Sequence, residues 1–101
     1  RSVVLYNGSD KASYAAFDLD GMTTDADGYF VIGSAGVANA DLIAFTTNGL
    51  QNGADAAVLL AGDAVDFPND TALAGIDMGS VLDAVVYDTN DGDDDVFSIF
   101  L

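Results

Sequence analysis

The stretch VLDAVVYDTNDGDDDVFSIF, residues 81–100, places an acidic turn between two short apolar runs. The first run, VLDAVVY, alternates with a period of two, so Asp83 shares a side with Val81, Val85 and Tyr87, leaving Leu82, Ala84 and Val86 to face a core. That period belongs to a strand. Short, mostly apolar runs recur upstream in SVVLY (2–6), SYAAFDL (13–19), GYFVIG (28–33), DLIAF (41–45) and DAAVLLA (55–61), and downstream in DVFSIF (95–100), with alternation less clean because opposite faces are partly apolar too. The separators NGSDKA, DGMTTDAD, GSAGVANA and TTNGLQNG are rich in Asn-Gly and Asp-Gly, which tolerate positive φ and mark turns. This spacing predicts an all-β sandwich or barrel. Residues 63–80 read as one long excursion between two strands, with Pro68 fixing a turn and the alanine-rich segments 35–40 and 71–80 suited to short helical turns.

Composition supports this reading and removes several functions. The 101 residues suffice for one hydrophobic core. Half are hydrophobic and the mean hydropathy is +0.31, so the chain is expected to fold despite a net charge of −15. All 17 acidic residues are aspartate, which favours caps and turns, and none is the helix former glutamate. Arg1 and Lys11 are the only basic residues, so the surface repels nucleic acid and anionic lipid. Without cysteine or histidine there is no disulfide or thiolate chemistry, no usual general base and no usual zinc or copper ligand. No stretch is long enough to span a membrane as a helix, and no secretory leader opens the chain. An export signal would lie upstream of Arg1.

The order VVLYNGSD, FDLDG, DADGYFVIG, LQNGADAAVLL, DFPND and VLDAVVYDTNDGDD resembles the lamin-tail domain as it occurs in bacterial extracellular proteins. The resemblance is carried by the Val-Leu-Tyr-Asn-Gly strand and by Gly28, Tyr29, Phe30, Val31 and Ile32. It continues through Leu50, Asn52, Gly53, Asp55, Ala56 and Leu59, with Ala57 and Val58 in the reverse of the common order, and through Asp83, Ala84, Val85, Val86 and Tyr87. It implies an immunoglobulin-like β-sandwich of about seven to nine short, mainly antiparallel strands. It also implies a secreted or cell-surface setting and a non-catalytic role. The usual N-terminal strand of that family is missing, so residues 1–101 are expected to form a single such domain, incomplete at its N-terminus.

The acidic turn raises a question of chemistry. An EF-hand loop needs oxygen ligands at positions 1, 3 and 5, glycine at 6 and an acid at 12; starting at Asp88 puts Asp93 at the glycine position and Ile99 last. Starting at Tyr87 restores the glycine but ends on Ser98. A less regular Ca²⁺ site using Asp88, Asn90, Asp91, Asp93 and Asp95 is an alternative to a solvated turn, because Ca²⁺ accepts six to eight oxygens from flexible loops. DLDG (18–21) and DADG (25–28) read as strand-ending turns. Few of the aspartates sit within an apolar pattern, and Asp83, the best case, reads as exposed or bonded to a turn amide; no serine has a histidine to activate it. The sequons at Asn7 and Asn69 read as polar loops, and the aromatic residues, spread along the strands, read as core.

The sequence thus points to a non-catalytic, extracellular protein-interaction, self-assembly or attachment module. A calcium-dependent binding module using residues 88–95 is the second reading, and a small carboxylate-dependent hydrolase the third. Expected partners are proteins, or a second copy paired through edge strands. The two-sided VFSIFL terminus invites such pairing and would yield a homo-oligomer or, head to tail, a filament.

Overall fold

A computed structural model describes residues 1–46, 48–88 and 98–100. The described chain is mostly β. Its strands are β1 (Ser2–Asn7), β2 (Ala12–Asp18), β3 (Ile32–Ser34), β4 (Leu42–Phe45), β5 (Asp55–Leu60) and β6 (Val81–Tyr87). Helix is confined to short 3-10 turns at Ala64–Asp66, Leu73–Gly75, Met78–Ser80 and Ser98–Phe100. Six strands among the described residues are fewer than the seven to nine expected. Residues 98–100, assigned from their apolar pattern to a last strand, form a 3-10 turn instead, and residues 95–97 lie outside the described set. The chain divides into two compact units, one made of residues 1–20 and 52–101, the other of residues 21–51.

The first unit is built on an antiparallel sheet of order β2-β1-β5-β6. Its two central strands carry the core, as their nearly continuous apolar sequences require: Val4, Tyr6, Ala56, Val58 and Leu60 are buried together with Leu73. Cross-strand pairing sets this face, with Val4 opposite Val58 and Tyr6 opposite Ala56. Phe67, Ile76 and Phe100 pack against it, the Phe100 ring 6.5 Å from that of Tyr6. On the opposite face Leu5, between its partners Ala15 and Ala57, is buried as well.

Strict alternation fails in two places. The β5–β6 register shifts between Leu59, opposite Asp83, and Leu60, opposite Val81, so Leu82 is an extra residue. The bulge turns Val81, not Leu82, toward the core, and Leu82 is 45% exposed, contrary to the expectation from simple alternation. A second bulge in β2 leaves Tyr14 as the extra residue between Ala15, opposite Leu5, and Ser13, opposite Tyr6. Tyr29, assigned to the core with the other aromatics, is 69% exposed.

The excursion between β5 and β6 is anchored on Ser13. The Ser13 hydroxyl donates to the Pro68 carbonyl (2.8 Å) and accepts from the Thr71 amide (3.1 Å). The Ser13 amide donates to the Thr71 carbonyl (2.9 Å), and the Asp70 amide donates to the Ser13 carbonyl (2.7 Å). One buried serine thereby satisfies polar groups that would otherwise be stranded beside the core. Ser2 is the opposite case. Its hydroxyl is buried with no hydrogen-bond partner among the described residues. Ser2→Ala is therefore expected to raise stability by about 1 kcal/mol, read as a higher midpoint in urea denaturation with an unchanged slope.

The second unit centres on a parallel pair, with Ile32 opposite Leu42 and Gly33 opposite Ile43. Parallel neighbours ordinarily need a crossover of about a dozen residues or more, whereas segment 35–41 makes this connection. Asp41 holds the strand starts together: its Oδ2 accepts from the Val31 amide (2.8 Å), while the Asp41 and Leu42 amides donate to the Val31 carbonyl (2.9 and 3.2 Å).

Candidate functional site

In the second unit two tight approaches shape a groove. A Cβ on Gly49 would lie 2.2 Å from Phe45 Cδ1, so only glycine lets the chain fold that closely there, and one on Gly33 would make a tight 3.0 Å contact with Val37 Cβ. The segments following β3 and β4 consequently turn back and flank a concave surface of about 1060 Å³. Ile32, Val37, Ile43, Phe45 and Leu50 supply its apolar lining, and Asn48 lies beside them. Ile43 is 62% exposed and Leu50 is 54% exposed. Solvated apolar side chains gathered in a concavity favour contact with another apolar surface. The described lining holds hydroxyls at Ser34 and Thr46 but no aspartate, lysine, arginine or tyrosine.

The first unit contains a buried polar cluster. Asp55, fully buried at the start of β5, accepts through Oδ1 from the Gly8 amide (3.1 Å) and through Oδ2 from the Tyr87 hydroxyl at a long 3.4 Å. Tyr87 also bonds to Tyr14, the residue displaced by the β2 bulge. Burial first, then the contacts with Tyr14 and Asp55, hold the Tyr87 hydroxyl well above the ordinary tyrosine value of 10.0, and burial raises Tyr6 in the same direction. These two hydroxyls therefore keep their protons in the folded protein at a pH where they would ionise in an unfolded chain. Their contribution to stability is complete below pH 10 and is lost as pH climbs through the raised folded values. In an alkaline titration, tyrosinate absorbance from Tyr6 and Tyr87 should appear only as the β circular-dichroism signal disappears. Ionisation of all four tyrosines before any loss of that signal would contradict the buried placement.

No family model, curated protein or solved structure matches this chain. The likeness to lamin-tail domains thus rests on the motifs themselves.

A Ca²⁺ site at Asp88, Asn90, Asp91, Asp93 and Asp95 was the alternative to a solvated turn. Asp88 is exposed just past β6, and the other four lie outside the described residues. Among the described residues no group of three or more carboxylates, histidines or cysteines is arranged to hold a metal ion. The DLDG and DADG carboxylates are used locally: Asp18 Oδ1 accepts from the Asp20 amide (2.8 Å), and Asp25 Oδ1 accepts from the amides of Asp27 (2.9 Å) and Tyr29 (2.8 Å). Asp83 is exposed and accepts from the Ala84 amide (2.9 Å). Asp18, Asp20, Asp63 and Asp66 gather at the surface. There the amino group of Arg1 donates to Asp20 and lowers its carboxyl, while repulsion from Asp20 raises that of Asp63. Among the described residues no helix is long and apolar enough to cross a membrane.

Sequence reasoning missed both principal features. The groove is lined largely by GSAGVANA and TTNGLQNG, which read as separators, the first also as a short helical turn; a valine and a leucine among small and polar residues were the available signal. Asp55 read only as the first residue of the strand DAAVLLA, and its one distinguishing mark was a position directly before the most continuous apolar run.

Proposed function

We propose that the protein is a non-catalytic binding module of the extracellular or cell-surface environment, and that it takes its partner in the β3–β4 groove. The observation that carries this reading is the joint exposure of Val37, Ile43 and Leu50 on one concave surface. The resemblance to lamin-tail domains supports the setting and an immunoglobulin-like sandwich as the fold type. Net charge specifies the partner's chemistry further. A chain at −15 attracts basic segments over a distance of about 10 Å in moderate salt, so the fitting partner presents apolar side chains flanked by lysine or arginine. Apolar contact in the groove would supply affinity, and the surrounding charge would supply rate and selectivity.

A lysine-rich amphipathic peptide and its glutamate-substituted counterpart, titrated against the protein by fluorescence anisotropy, test the proposal. The basic peptide should bind, more weakly as salt rises, and Ile43→Asp should reduce its affinity about tenfold or more while the circular dichroism stays unchanged. Equal binding of both peptides would overturn the basic partner, and unaltered binding by the Ile43→Asp protein would remove the groove from consideration.

A further inference from the structure

Three Asn-Gly pairs occur in the chain, at 7–8, 48–49 and 52–53, and the fold gives them different surroundings. We infer that Asn48 is a site of spontaneous succinimide formation, converting to aspartate and isoaspartate in the folded protein, whereas Asn7 is protected by the same fold. The reaction needs the nitrogen of the following residue to reach the asparagine side chain, and glycine, lacking Cβ, permits that approach. The Gly49 nitrogen gives its proton to hydroxide and attacks Asn48 Cγ, forming a C–N bond. The tetrahedral adduct collapses with cleavage of the Cγ–Nδ2 bond, and the side-chain nitrogen leaves as ammonia, taking its extra proton from water. Water then opens the ring. Cleavage at Cγ gives aspartate with the original main chain, and cleavage at the former Asn48 carbonyl gives isoaspartate, with the chain running through the side chain. One water enters and one ammonia leaves, with no oxidant or reductant.

At 48–49 the asparagine is open to water. The residue is exposed, with φ +60°, and Gly49 is half-buried where Gly8 is buried. At Asn7 each participant is occupied. The Gly8 amide donates to the buried Asp55 (3.1 Å), and the Asn7 side chain is held by a bond from the Ser9 amide to its Oδ1 (2.8 Å). Asn52 is exposed but precedes a buried glycine, which places it behind Asn48. Because Asn48 lines the groove, conversion puts a carboxylate on a wall that otherwise lacks one.

The test is to age the folded protein in mildly alkaline buffer and follow the amide-to-acid mass change in proteolytic peptides covering each pair, with a parallel sample in denaturant. Conversion at Asn48 should outpace that at Asn7 by at least about tenfold in the folded sample, and the sites should converge in denaturant. Asn48→Gln should abolish conversion in its peptide. Equal rates at 48 and 7 in the folded protein, or a difference that persists in denaturant, would overturn the inference.

Discussion

Asp55→Ala is expected to lower stability by about 3 kcal/mol, which for a chain of this size corresponds to a fall in melting temperature of about 15 °C. The loss has two parts. The buried Gly8 amide would have no acceptor, at about 1–3 kcal/mol, and removal of the carboxylate would leave a void beside the fully buried Ala54 and Ala56. The Tyr87 hydroxyl contributes less, because its 3.4 Å contact is long and it also bonds to Tyr14. Asp55→Asn retains an oxygen for Gly8 at nearly the same volume and should stay within about 1 kcal/mol of the parent. Thermal melts of the two variants decide the matter. If alanine and asparagine prove equally mild, Asp55 does not tie the β1 turn to β5.

The strands legible in the sequence were those whose apolar residues must be buried whatever the details. VVLY and AAVLL became the central strands because little in them tolerates water, and Val4, Tyr6, Ala56, Val58 and Leu60 fall on one face as a period of two requires. Alternation misassigned Leu82 because a bulge is a property of two strands paired together, and no pattern within β6 records which residue its partner passes over. The parallel β3–β4 pair was hidden for a related reason. The short link 35–41 resembles an ordinary separator, and the hydrogen bonds from Asp41 that align the strand starts depend on Val31 arriving beside it.

The candidate site was less legible than the fold. A groove made by two glycine-assisted turns leaves only isolated apolar letters in polar segments, here Val37 and Leu50, and such letters are common on any surface. The aspartates drew attention in proportion to their number, yet Asp10, Asp18, Asp25, Asp41 and Asp77 each accept from a backbone amide in a turn or at a strand start. Their abundance is largely an account of how the chain bends. Among the described residues the one carboxylate taken fully out of water, Asp55, looks like the others until the Asn7-Gly8 turn is folded against it.

Gly8→Ala should match or exceed the effect of Asp55→Ala, by a different physical route. A Cβ at Gly8 would lie 1.7 Å from the Ala54 carbonyl oxygen and 2.8 Å from its carbon, and both are backbone atoms that cannot rotate away. Gly8 does not have a positive φ, so the obstacle is space and not chain conformation. Relief requires the turn to lift from Ala54, which breaks the bond from the Gly8 amide to Asp55; overpacking plus that loss comes to about 3 kcal/mol or more. Gly75→Ala is the control. Nothing lies within 4 Å of its Cβ position and its φ is ordinary, so it should change stability by less than about 1 kcal/mol. Because Gly8→Ala and Asp55→Ala disrupt one shared contact, the double variant should be more stable than the sum of the single losses implies, by about 1 kcal/mol or more. Additive losses in urea denaturation would mean that the two residues act independently, and that the close packing of Gly8 on Ala54 is not what delivers its amide to Asp55.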